Sequence, residues 1–406
     1  MRVFVMVMRV VAVLLMVFMF GCSQPQGNGG VLKKDWQDIE ADAQGGLVKL
    51  YMYGGLPQVN EWVDTYVAEE VKKRFGISLV RVPLDANVVV AKLLAEKGTG
   101  KNVGGVDLVW LNGENFKTAK EGGVLFGPFA EKLPNYLKYI DKRLAAYDFG
   151  YPVEGYEVPL GRTQFVFEYD SAEVPNPPRS FLDLLRWTTE HPGRFTYSAP
   201  PDFTGSAFIR QAFYSLTGGS TLFESGWNEK AFNNSAPKLW EYLNEMKPYL
   251  WRAGVEYPKD AAALDSLFAT GETLLSMSYG PHHASVKVRN KVFRPSVRTY
   301  IMNDGSFFNM HFMGIPETAP NKAGAMVVAN FLLSPEAQLS KFRPESWGDF
   351  PSIDLSTLDK EMWQKFESVE HGEAALTPKE LHKAGIPEIS AEYVEALEKG
   401  WIENVK

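Results

Sequence analysis

The chain has 406 residues, 45% of them hydrophobic and 22% charged, and carries a net charge of −7. Acidic and basic residues are interspersed, which excludes the basic surface that nucleic-acid binding needs. The length exceeds one typical core and suits two domains, and a single cysteine excludes any disulfide within the chain.

The N-terminus is patterned. Met1–Arg9 carries Arg2 and Arg9 and no acidic residue, Val10–Phe20 is uninterrupted apolar, and Gly21-Cys22 follows. A basic start, a short apolar segment and a small residue at the cut describe a signal peptide over residues 1–21. The apolar run is too short to span a bilayer as a helix, which takes about 20 residues. Cys22 then begins a segment, 22–46, whose first part, Ser23–Gly30, lacks apolar residues and reads as a flexible tether.

Further along, Leu47–Tyr53 predicts a strand that ends at Gly54-Gly55. Glu61–Phe75 predicts a helix, with Asn60 as its N-cap and Trp62, Tyr66 and Val67 on one face. Ile77–Val82 predicts a second strand, Val88–Glu96 a helix and Val106–Trp110 a third strand. Strands alternating with helices at this spacing argue for βαβ units and a mostly parallel sheet. Thr163–Tyr169 is the next strand candidate, and the proline-rich Pro175–Pro178 marks a boundary. A second α/β unit follows: helix Phe181–Glu190, strand Phe195–Ser198, helix Ala207–Leu216, short helix Leu264–Ala269, and strands Thr273–Tyr279 and Val297–Met302. Ala323–Leu333 is a helix, Ser334-Pro335 caps the next one, and the remainder is mostly helical.

The phrase Lys322–Gln338 (KAGAMVVANFLLSPEAQ), with Met313-Gly314-Ile315-Pro316 ahead of it, resembles the C-terminal-lobe segment of bacterial extracellular solute-binding proteins of family 1. Asp107–Phe116, Leu125–Phe129, Pro177–Phe181 and His191–Phe203 resemble a poorly characterised subgroup of it, and the resemblance covers residues 45–345. Cys22 is similar to a lipobox cysteine, although Phe20 is bulky where that pattern prefers a small residue. The resemblance implies an α/β, two-lobed type 2 periplasmic-binding-protein fold with crossover strands as its hinge, closing around a ligand. The expected division is 1–21 signal peptide, 22–46 lipidated Cys22 and tether, 47–162 first part of lobe 1, 163–302 mainly lobe 2 with the crossover strands, and 303–406 the return to lobe 1 with C-terminal helices.

In open α/β sheets ligands bind beyond the carboxyl ends of strands. Tyr53, Gly54 and Gly55 follow the first strand, where small residues admit a ligand to backbone N–H groups; the glycines equally suit a tight turn. Trp110, Asn112, Glu114 and Asn115 follow the third, offering a stacking face, amide hydrogen bonds and a carboxylate for a cation; a core Trp110 and a capping Asn115 fit the same residues. Asp202, Thr204 and Ser206 sit at a predicted helix start, which suits a polar or anionic group or plain capping. Tyr279 and His282 end another strand, as a stacking group beside the cleft or as turn and core. Arg162 and Gln164 lie in the expected hinge and either reach the cleft or pair with nearby carboxylates.

His282, His283 and His311 raise a metal reading. The first two are sequential and would point to opposite faces of a strand, and no dense set of ligands accompanies them, so no metal is expected. No P-loop, G-x-S-x-G elbow, H-E-x-x-H or strand-borne G-x-G-x-x-G is present, so no catalysis and no cofactor are expected. The alternative is an exported hydrolase of a small polar or carbohydrate substrate, whose carboxylates follow no fixed local pattern. The family resemblance implies a monomeric ABC-importer solute-binding component on the periplasmic side of the cell envelope. It would be anchored to the membrane through Cys22 and hand its ligand to permease subunits. The mix of aromatic and acidic candidates favours an organic cation or heteroaromatic ligand such as thiamine or a polyamine, with a sugar next.

Overall fold

A computed structural model describes residues 30–219 and 226–406. The expected signal peptide, Cys22 and most of the tether lie outside the described residues. Two sheets organise the chain. In the first, β1 (Leu47–Met52) buries Val48, Leu50 and Met52 on alternate positions, as a half-buried strand should. It pairs in parallel with β2 (Ser78–Pro83) and with β3 (Leu108–Leu111). A small hairpin, β4 (Tyr147–Asp148) and β5 (Tyr151–Pro152), precedes β6 (Glu157–Gln164).

From β6 the chain passes straight into β7 (Val166–Asp170), with only Phe165 between them, and so enters the second sheet. There β7 is central, antiparallel to β8 (Leu275–Ser278) and β9 (Val297–Tyr300). The chain returns through β10 (Ser306–Gly314), antiparallel to both β3 and β6. A short β11 (Gly385–Pro387) pairs in parallel with the first half of β10, just past the end of β3. The two passages, β6 to β7 and β9 to β10, are the crossovers that the sequence placed at Thr163–Tyr169 and Val297–Met302.

Each sheet carries its own apolar core. The first gathers residues from Val31 to Leu160 and from Met310 to Phe366. The second gathers Phe165 to Phe307 and then Ile389, Tyr393, Leu397, Trp401 and Val405. The stretch after residue 302 is thus divided between cores, and the last helix, Ala391–Asn404, packs on Phe203–Leu216 and Glu229–Met246.

Three local readings are corrected. Asn60 is not an N-cap: the helix starts at Pro57, where proline suits the first position, and runs on through a π-helical turn (Val63–Val67) to Phe75. Asn60 instead donates from Nδ2 to Gly54 O at 2.8 Å. Phe195–Ser198 joins no ladder; its backbone is tied singly, by Trp251 N donating to Phe195 O. Burial of Phe195 and Tyr197 in the second core made it look like a strand. The helix predicted from Ala207 begins at Phe203, because Asp202 supplies the cap one turn earlier. Ser334 caps its helix as read, accepting from Ala337 N at 3.3 Å.

Candidate ligand-binding site

The carboxyl ends of β1 and β3 and the end of β6 lie at one edge of the first sheet. Beyond β1, Tyr53 is 54% exposed and its ring folds over Gly55, where any Cβ would collide with the phenol. A side chain at position 55 would make this exposed phenol swing aside, and a tight turn accounts for the glycine equally well.

Trp110, half-buried near the end of β3, packs on His311 at 5.0 Å and on Trp347 at 5.7 Å between ring centroids. Trp347 stacks on His311 and meets Trp62 at 5.5 Å, and Trp62 stacks on Tyr66. Beneath this row, Asp349 lies 3.2 Å from His311 Nε2 and 2.6 Å from the fully buried ammonium of Lys341. Burial alone would raise the Asp349 carboxyl; Lys341 and His311 outweigh it and hold it below its ordinary range. The row is a wall of aromatic faces whose rear is electrostatically satisfied.

After β3, Asn112 is half-buried, and Gly113 N donates to Asp148 at 2.6 Å. Gly113, not Asn115, occupies the N-cap of Glu114–Glu121. Asn115 sits half-buried in the first turn, and Glu114 is exposed.

On the second unit Asp202 is the N-cap of Phe203–Leu216, accepting from Thr204 N at 3.1 Å and Gly205 N at 3.0 Å, and Thr204 is buried. Capping thus accounts for most of what Asp202 does. Ser206 and Tyr279 belong to a buried polar network. The Tyr279 hydroxyl donates to Glu388 at 2.6 Å, Arg210 grips the same carboxylate with two N–H groups, and Arg210 Nη1 also donates to Ser206, whose hydroxyl donates to Glu398. Burial pushes the Tyr279 phenol well above its usual range, so it stays a neutral donor. Phe203, 45% exposed, lies on the Tyr279 ring at 4.9 Å.

The units meet here. Thr163 donates to Tyr279 O across the hinge, and His282 Nδ1 lies 2.6 Å from Gly348 O. Lys117 pairs with Glu392 at 3.1 Å. Burial raises the Glu398 carboxyl, Ser206 and Arg210 oppose the rise, and the charge of Glu114 on the other unit adds to it. The strand-end candidates of the two units are thereby brought toward one region.

The remaining candidates have plain partners. Gln164 is buried and donates from Nε2 to Leu381 O at 3.0 Å, which ties the hinge to the C-terminal segment. His282 is buried between Phe350 and His371, and burial holds its pKa down to about 3. His283 bridges Glu168 at 2.7 Å and Asp265 at 3.0 Å. Burial lowers its pKa, but the two carboxylates win and hold it up to about 10. Glu168, Asp265 and His283 are close enough together to hold a metal ion. The imidazolium, with Lys287 at 2.7 Å from Asp265, already balances both carboxylates.

Reading the sequence alone missed Phe203, Arg210, Trp347, Asp349, Glu388 and Glu398. Phe203 stood one residue from Asp202 and carried the usable signal of an aromatic at a helix start. Trp347 and Glu388 lie far along the chain from the strands they cover.

Residues 66–368 match the family model of the bacterial extracellular solute-binding proteins. The chain belongs to that family. It is 37% identical to Protein YnjB of Escherichia coli K12 over 371 residues, 91% of this chain and 93% of that one. Among solved structures it resembles an ABC transporter protein from Clostridium perfringens, with a TM-score of 0.62 at 17% identity, covering 88% of this chain and 98% of that one. It also resembles the spermidine/putrescine ABC transporter substrate-binding protein PotD of Streptococcus pneumoniae, with a TM-score of 0.63 at 15% identity, covering 89% of this chain and all of the other. At these identities the likeness establishes the two-lobed α/β binding-protein fold. The two sheets, two cores and two crossovers are that fold's lobes and hinge. Among the described residues, no helix of this solute-binding protein is long and apolar enough to cross a membrane.

Proposed function

We propose that this solute-binding protein is the substrate-binding component of an ABC importer, capturing a small solute between its lobes and presenting the closed form to permease subunits. The observation that carries this reading is an aromatic group on each lobe, Trp110, His311 and Trp347 on one and Phe203 over Tyr279 on the other, with Thr163 of the first lobe donating to Tyr279 O across the hinge. A ligand that touches both walls stabilises the closed state by its greater affinity for it.

Half-buried aromatic faces with the exposed carboxylate of Glu114 support a ligand bearing a cationic or heteroaromatic part, thiamine- or polyamine-like, with a sugar next. PotD, named for spermidine and putrescine, shares the fold and supports the polyamine end of that range. Native mass spectrometry of protein purified without denaturation tests the reading directly: it should show a co-purified small molecule, and the protein should not consume it.

Trp110→Ala should weaken ligand binding by about 1–3 kcal/mol, the loss of a partly buried aromatic contact. Calorimetric titration gives the number, and the melting temperature without ligand shows whether the fold survived. A well-folded variant with unchanged affinity would remove the aromatic wall from the site.

Anchoring completes the proposal. Cys22 is the sole cysteine and follows the apolar leader directly, and acylation there would hold the protein at the membrane, each buried CH₂ contributing about 0.8 kcal/mol. Cys22→Ser should move the protein out of the detergent phase on phase partitioning. Retention of the processed variant in detergent would refute the lipid anchor.

A further inference from the structure

Arg162 lies on β6, two residues before that strand ends at the hinge, paired with Met310 of β10. Its guanidinium covers the Phe308 ring at 4.0 Å, and its Nη2 occupies the space where a side chain on residue 385 would begin, so Gly385 of β11 makes room for it. The side chain is partly exposed and therefore reachable.

Its electrostatics are unusual within this chain. Among the described residues, the fully buried basic side chains Arg210 and Lys341 each face a carboxylate, Glu388 at 2.9 Å and Asp349 at 2.6 Å. Arg162 has no carboxylate within ion-pair distance among the described residues. Burial is deep enough to pull its pKa down to about 10, and Tyr279 from the other lobe opposes this only in part. The group remains a cation at neutral pH. A desolvated cation without a counter-charge is costly to keep, and a guanidinium presents a fork that matches a carboxylate or phosphate bidentately.

We propose that Arg162 is the seat for an acidic group of the transported solute, a carboxylate or phosphate, so that the ligand carries a negative end at the hinge. This rests on the solute-binding reading above and narrows it: a simple diamine does not satisfy Arg162, whereas a zwitterion or a phosphorylated heteroaromatic does.

The test uses full-length protein in detergent, freed of any co-purified solute, and follows thermal unfolding with sodium phosphate or sodium acetate against sodium chloride at matched ionic strength. In wild type, phosphate or acetate should raise the melting temperature above the chloride control, and the arm with the larger rise tells which acid is preferred. Arg162→Met should lose that increment and, without added anion, melt no lower than wild type, since it removes an unpaired buried charge. Arg162→Lys should keep part of the increment, and it stands in if the Met variant fails to fold. Equal increments in wild type and variant, or none in either, would overturn the proposal. The co-purified ligand is a separate readout: one lacking any acidic group sinks this inference and leaves the solute-binding function intact, whereas the absence of any bound solute counts against the function itself.

Discussion

Arg210→Met should destabilise the folded chain by about 3–5 kcal/mol, the cost of leaving a buried charge without its partner. Arg210 and Glu388 have side chains only 1% and 2% exposed. Their two charge-assisted hydrogen bonds measure 3.1 and 2.9 Å. With Arg210 gone, Glu388 retains the Tyr279 hydroxyl, and Ser206 loses the donor that holds it toward Glu398. Replacing both partners should cost much less than the two single changes added together, because no orphan charge remains. Urea unfolding of the single and paired variants, followed by tryptophan fluorescence and by circular dichroism, measures both quantities. A loss under about 1 kcal/mol for Arg210→Met would mean that water reaches Glu388 and that the network is not a closed unit. The result bears on function because Tyr279 and Phe203 stand on this network: a slackened Glu388 frees the wall of the second lobe.

Trp401→Ala should cost about 3–5 kcal/mol, as large-to-small changes at buried aromatic sites do. Trp401 is wholly buried in the last helix. Its indole donates to the Tyr197 hydroxyl at 3.0 Å and its ring meets Tyr257 edge-on at 5.2 Å. Truncation opens a cavity and also strips Tyr197, itself fully buried, of that donor. Trp401→Phe should recover most of the packing but not the hydrogen bond, and so fall between. Thermal unfolding of the three proteins orders them. If Trp401→Ala melted like wild type, the last helix would be peripheral, and the packing of the C-terminal segment into the second lobe would carry little weight. The same helix bears Glu392, paired to Lys117 of the first lobe, and Glu398 beside Ser206, so its loosening should also widen the distribution of lobe separations seen by small-angle scattering.

The strands that make the hinge were legible because their cause is local. Thr163–Tyr169 is apolar and β-branched or aromatic enough to specify an extended chain wherever it lies, and the FLLSPEAQ joint is a cap and a proline acting on their own neighbours. Phe195–Ser198 failed for a reason of the same kind: its residues satisfy the local preference for an extended chain, but a ladder needs a neighbouring strand, and none runs beside it. Asn60 failed because a proline three residues earlier starts the helix better.

The candidate site was legible only in part. Tyr53, Trp110, Asn112 and Glu114 follow from the rule that loops after parallel strands face the ligand, and that rule needs only strand order. Whether a residue there points outward is not a local property. Tyr279 and Ser206 turn inward because Arg210 and Glu388, 178 residues apart in the chain, pair between them. Trp347 joins the wall because the segment after Phe342 doubles back over His311.

By itself the amino-acid sequence determined the α/β alternation, the two crossovers and the family, since each rests on periodicity, caps or contiguous phrases that act over a few residues. The tertiary structure alone decided which cations are paired and which is left open. Burial brings Glu388 to Arg210 and Asp349 to Lys341 but, among the described residues, brings no carboxylate within ion-pair distance of Arg162, and the strength of an electrostatic interaction depends on distance and desolvation that only the folded chain defines.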